Sequence, residues 1–192
     1  MMLVPIAWEL RMDAFETVVS EILWQKGYWI QTSLKVELTK DDKLAINRPS
    51  SPRWEIDVVG YSGKRNELLI VECKSYLDSL GVQYRAFDGT DLKIASRFKL
   101  FNDTSLRDVV TGRLRQQLVE RGLIREDPVI KLALACGKIV REKDRLLLKE
   151  HFERNGWLLW DEAWLKENLE RMSKGGYENS SVAVVAKLLL RK

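Results

Sequence analysis

The run "LLIVECK", Leu68 to Lys74, constrains this chain more than any other stretch. Four consecutive apolar residues, Leu68 to Val71, read as a strand buried on both faces, at the centre of a sheet rather than at its edge. The strand then ends in charge. Glu72 and Lys74 are costly there unless they are paired or ligate a metal. Upstream, Glu55 to Val59 is a second β-rich run, and the Gly-punctuated "GYSGKRNE" between them predicts a hairpin. Strand side chains alternate with period two. Glu72 and Lys74 therefore share a face, with Val71 and Cys73 on the other, and Glu55 shares a face with Asp57. The spacing can thus bring two carboxylates, Asp57 and Glu72, together with one ammonium, Lys74, on one side of a sheet. The plainer reading is a solvated charge pair at a strand end.

The remaining pattern surrounds this hairpin with helices. Residues 12–26, "MDAFETVVSEILWQK", place Phe15, Val18, Val19, Ile22 and Leu23 on one helical face. Asp13 is the expected N-cap, Glu16 three residues on completes a capping-box pattern, and Gly27 ends the helix. Residues 28–38 alternate like a strand, and 39–52 read as a polar loop. After an irregular stretch come two helical patterns, 91–101 and 105–121, then a buried strand in "VIKLALACGKI". A helix over 141–156, a short strand in "WLLWD", a helix to about Met172 and a terminal helix or strand complete the order. This predicts an α/β chain with a mixed sheet flanked by helices, as a single domain over residues 1–192.

Composition narrows the class. At 45% hydrophobic and 31% charged, the chain is an ordinary globule, and no apolar run approaches the roughly 18 residues of a membrane span. The N-terminus lacks the basic and apolar regions of a secretory leader, so a cytoplasmic protein with no membrane association is expected. Cys73 and Cys136 lie in apolar runs without zinc-type spacing and read as reduced, buried thiols. The single histidine, His151, argues against a His-rich metal site or a Ser-His-Asp triad and reads as a partly exposed helix residue. Charge is uneven. Arg85 to Arg125 holds nine Lys or Arg against five acids, an excess equal to the whole net charge of +4. A basic segment beside an acidic pocket suits a polyanion, although a solvated helix face would look the same.

Two carboxylates on neighbouring strands, with a backbone carbonyl at Cys73 between Glu72 and Lys74, form an oxygen-rich set of the kind hard divalent cations take. A lysine beside such a cation stabilises developing charge and orients an attacking water. At these residues the sequence resembles the PD-(D/E)XK nuclease superfamily, the restriction-endonuclease-like fold. Ile56-Asp57 stands where the family has Pro-Asp, and Glu72-Cys73-Lys74, fifteen residues beyond Asp57, fills the acid-X-Lys step. "AFETVVSEILWQKGYWI" is similar to the first helix of Mrr-like members, with Glu16 at the place of their helical acid. The chain departs in Ile56, and in lacking a Gln-xxx-Tyr motif after the lysine. Gln116 and Gln117 are followed four residues on by Glu120 and Arg121, and Gln83 with Phe87 is a poor substitute.

The resemblance implies an α-β-β-β-α-β core over about 12–140, a C-terminal α/β extension over about 141–192, and hydrolysis of phosphodiester bonds, of DNA rather than RNA. It implies Asp57, Glu72, Lys74 and Glu16 as catalytic residues, with Mg²⁺, or Mn²⁺ in its place, held by Asp57, Glu72 and the Cys73 carbonyl. Dimerisation is frequent among such proteins, so a homodimer is a further expectation. On the basic segment, Arg113, Arg115, Gln116 and Gln117 are the candidate nucleic-acid contacts. The competing reading is a catalytically inactive module of the same fold that binds DNA or a protein partner.

Overall fold

The computed structural model describes residues 13–50, 53–176 and 179–191. The N-terminal stretch through Met12, which carries the leader reading, lies outside them. The described chain folds around one five-stranded mixed sheet of order β1-β2-β3-β4-β5: β1 Trp29–Glu37, β2 Arg53–Ser62, β3 Glu67–Lys74, β4 Val129–Cys136 and β5 Leu158–Trp160. The first three strands form an antiparallel meander, and β4 and β5 are added in parallel. Strand β5, from the expected extension, is thus the fifth strand of the same sheet.

Strand β3 is central, as its composition demands. Leu68 and Ile70 join one core cluster, Leu69 and Val71 the other, and none of the four is more than 1% exposed. Each such burial is worth about 1.5–3 kcal/mol. The parallel connection from β3 to β4 runs through a 3-10 turn at Tyr84–Ala86 and helices α3 Leu92–Ala95, α4 Lys99–Asn102 and α5 Thr104–Glu120. Helix α6, Glu142–Arg154, links β4 to β5. Helices α5 and α6 cover the Leu68 face through Leu106, Val110, Leu114, Leu148 and Phe152. Helix α1, Ala14–Gln25, covers the Leu69 face through Val19, Ile22 and Leu23. Helices α7 Glu162–Lys174 and α8 Ser181–Leu190 join it there. The result is a helix-sheet-helix sandwich.

Two local expectations change and a third is decided. The polar loop contains a short helix, α2 Lys40–Ala45, closed by a capping box between Thr39 and Asp42. The single helix expected over 91–101 is broken in two. The Ala95 carbonyl accepts from Phe98 N–H and from the Asn102 amide, so it does not receive the Lys99 N–H that a continuous helix requires. The C-terminal segment is helical, with Ser180 as its cap. Gly27, at φ 81°, ends α1 as expected. His151 is half-buried against Tyr84, Phe87 and Trp157, and burial holds its imidazole below the usual range.

Candidate active site

The site is built where β2 parts from β3. Their antiparallel ladder runs from Ser62↔Glu67 to Val58↔Val71 and stops one step short of Asp57. Side-chain alternation breaks at the same point. Ile56 packs into the Leu68-side cluster and Val58 into the opposite one, although strict period two would put them together. Strand β1 makes the same switch between Ile30 and Leu34, and Ser33, skipped with Asp57 between the Thr32↔Val58 and Leu34↔Ile56 pairs, has φ 48°. A non-glycine residue in that region costs about 1–3 kcal/mol and persists where the surrounding fold enforces it. Strict alternation therefore breaks at Asp57, although the charge of Glu55 is still felt there.

The Asp57 carboxylate enters the gap and replaces the missing ladder bond: Cys73 N–H donates to Asp57 Oδ2 at 2.7 Å. A residue in an antiparallel strand directs its N–H and C=O to the same neighbour. The Cys73 carbonyl therefore lies on the same vacated edge as Asp57. Glu72 and Lys74, one residue to either side, turn to the Leu68 face and form an ion pair at 2.7 Å, with side chains only 16% and 22% exposed. Glu16 approaches from α1, on the other face. Instead of sharing one sheet face, the four residues lie on both sides of the place where β2 and β3 part.

Helix α1 aims Glu16 there by its cap. Asp13 accepts from Phe15 N–H and Glu16 N–H, but Glu16 does not return a capping-box bond. Its Oε2 is buried without a hydrogen-bond partner. Burial first, then the nearby charges of Asp57, Asp13 and Glu55, push its carboxyl up to about 7. Asp57 is also raised by burial, more than the Cys73 N–H and Lys74 lower it. Glu72 follows the same balance, raised by burial and only partly relieved by Lys74 and Lys99. Burial disfavours the Lys74 ammonium, but Glu72 and Asp57 outweigh it and hold the amine above its usual range. The gap is thus an electronegative space with one cation beside it.

The end of β3 is locked in place. Gly137 N–H donates to the Lys74 carbonyl at 3.0 Å. A Cβ at Gly137 would lie 2.2 Å from the Ser75 carbonyl oxygen, so only glycine admits this approach. Neither Gly137 nor Lys99 stood out in the sequence. A glycine directly after the apolar run of β4 was the available signal for the first.

The four expected nucleic-acid contacts are not gathered at this gap. Arg113 Nε lies 3.0 Å from Asp42 of α2, and its Nη1 donates to Gln116. Arg115 pairs with Asp127 at 3.2 Å. Gln116 also donates to Glu120. Gln117 bonds the backbone of β1, accepting from Glu37 N–H and donating to the Lys35 carbonyl. All four make contacts within the chain.

Among the described residues, no group of three His, Cys, Asp or Glu side chains is placed to hold a metal ion. The oxygen donors around the gap are two carboxylates, Asp57 and Glu72, and one backbone carbonyl. These are the donor types that a hard cation takes when it keeps several of its waters. Both thiols are free, and burial raises each of them, which suits inert core residues. No described helix is long and apolar enough to cross a membrane. Comparison with protein-family models, with curated proteins and with solved structures finds no match.

Proposed function

We propose that this chain is a metal-dependent nuclease with a restriction-endonuclease-like core, acting on the phosphodiester bonds of DNA. The observation that carries the reading is the Asp57 carboxylate capping Cys73 N–H in the gap beside the Glu72–Lys74 pair. It sets Asp57 against the strand end that carries Glu72, the Cys73 carbonyl and Lys74. The element order supports it: α1, three meander strands, α5 and β4 follow the α-β-β-β-α-β order of that fold. That β5 extends the same sheet supports one domain.

Asp57, Glu72 and the Cys73 carbonyl would hold Mg²⁺, or Mn²⁺ in its place. Bound there, the cation supplies polarisation of a phosphoryl oxygen and acidifies water. The chain's own residues do the rest. Lys74, protonated at neutral pH and steadied by Glu72, offers Nζ protons to the charge that grows on the phosphate oxygens. Glu16, poised at about 7, exchanges a proton near neutrality and suits the role of accepting one from the attacking water.

Plasmid, linear and single-stranded DNA incubated with the full chain and Mg²⁺ or Mn²⁺ tests this. Wild type is expected to cleave at least one of them. Lys74→Ala, with its fold checked by circular dichroism, is expected to cleave about 10²–10⁴-fold more slowly. No cleavage by wild type overturns the reading in favour of a binding module without turnover, and equal cleavage by Lys74→Ala overturns the site built on Lys74.

A further inference from the structure

A groove of about 390 Å³ opens between the segment after β3 and helix α3. Its size falls in the range of about 300–1,000 Å³ that ligand sites occupy. Each wall lies close in the chain to a charge of the candidate active site. Tyr76, on one wall, follows Lys74 by two residues and is among the groups that raise the Lys74 amine. Phe98, on the other, precedes Lys99, whose charge is felt at Glu72.

The groove is pre-formed. Val82, at its floor, donates to the Lys138 carbonyl at 2.9 Å and accepts from Val140 N–H at 3.1 Å, which pins the segment to the loop after β4. Lys138 Nζ holds the Ser79 carbonyl at 2.8 Å. The rim is basic: Arg85, Lys93 and Arg97 line it, with Asp91 as their single acid. Asp91 engages Arg85 at 3.7 Å, and no ion pair within the chain is recorded for Lys93 or Arg97 among the described residues. Leu80, 73% exposed, presents an apolar surface beside these cations.

Cations with free heads beside an apolar and aromatic wall suit a nucleotide chain, with phosphates on the cations and bases on the wall. A duplex, whose major groove alone is about 12 Å wide, does not enter a space this small. We infer that the groove receives the single-stranded segment of nucleic acid next to the scissile phosphate. Lys93 and Arg97 contact its phosphates, and Leu80 with Tyr76 supports a base. The inference rests on the nuclease reading for what lies at the groove's end, but the binding itself is measured apart from cleavage.

The probe is 5′-fluorescein-labelled dT8, titrated with the full chain by anisotropy in EDTA between 50 and 200 mM salt. Lys93→Gln with Arg97→Gln, both at exposed positions, is expected to weaken binding about tenfold and to flatten the log–log salt slope by about 1.4, the value for two lost phosphate contacts on a single strand. Leu80→Ala is expected to weaken binding about threefold at an unchanged slope. No binding of dT8 by wild type, an unchanged slope in the double variant, or an equal loss on a 20-base-pair duplex overturns the inference. Cleavage by wild type with dT8 binding unaltered in the double variant removes the groove and leaves the nuclease. A groove-dependent slope in a chain that cleaves nothing does the reverse.

Discussion

Arg145 and Lys74 each stand among carboxylates at the helix-sheet junction, and the two clusters settle their charges in opposite ways. Arg145 donates to Glu142 at 2.9 Å, to Asp161 at 2.5 Å and to Glu162. Asp161 uses its second oxygen to cap α7 through Trp164 N–H. Burial pushes Asp161 up, but Trp164 N–H and Arg145 outweigh it and hold its carboxyl below the usual range. Glu162 keeps one oxygen unpartnered, yet the guanidinium holds the other. Around Lys74 the balance fails. One ammonium serves Glu72, Asp57 and the more distant Glu16, and all three carboxyls stay above their usual range, chiefly through burial. A planar fork with five donors can complete a cluster; a single ammonium leaves acceptors over. The first arrangement joins α6 to α7. The second leaves carboxyls short of counter-charge, and that imbalance is what the proposed function would use.

Substitutions that separate the clusters test this contrast, beginning with the largest effect. Arg145→Ala leaves Asp161, only 6% exposed, without its counter-charge. It should cost about 3 kcal/mol, read from the denaturant midpoint, while the cleavage rate of the folded fraction stays unchanged. Gly137→Ala forces a Cβ onto the Ser75 carbonyl and should cost about 2 kcal/mol. It should also lower cleavage, because Ser75 follows Lys74 directly. A stable, fully active Gly137→Ala would mean that the end of β3 need not be locked.

The third test uses pH. A carboxyl raised on folding contributes stability that is complete below its unfolded value and lost as pH rises through its folded one. For Glu16 that window runs from 4.5 to about 7. The melting temperature should therefore fall across it, and Glu16→Gln should remove part of the fall, gaining about 3 °C at pH 8. Asp161 works with the opposite sign. Its contribution is present above 3.8 and lost as pH falls through its lowered folded value. Acid unfolding below that point should persist in Glu16→Gln. The smallest effect belongs to Gln117→Ala, expected to cost about 1 kcal/mol with no change in dT8 affinity.

The elements that bury a patterned face were legible from residues alone. Helix α1 showed its apolar stripe, its Asp13 cap and its terminal Gly27, and β3 showed its unbroken apolar run. Helix α2 was not legible because it buries no residue. Its support is the capping box and the Asp42–Arg113 pair, and that partner lies far along the chain. A similar distance hid the contacts of Gln117, which looks like a surface residue until β1 is placed against it. Asp57, Glu72 and Lys74 could be singled out because charges at the end of a buried strand violate composition rules locally. Their arrangement around a gap could not be read, because it depends on the shared break in alternation at Ser33 and Asp57.

The Gln117 amide has one more consequence. Strand β1 is an edge of the sheet, and an uncovered edge is a template on which another chain can add a strand. Gln117 supplies one donor and one acceptor to consecutive sites on that edge, as a neighbouring strand would. It acts as a strand one residue long, closing the sheet where recruitment of a second molecule would begin. Self-association through this stretch of β1 would first have to expel it.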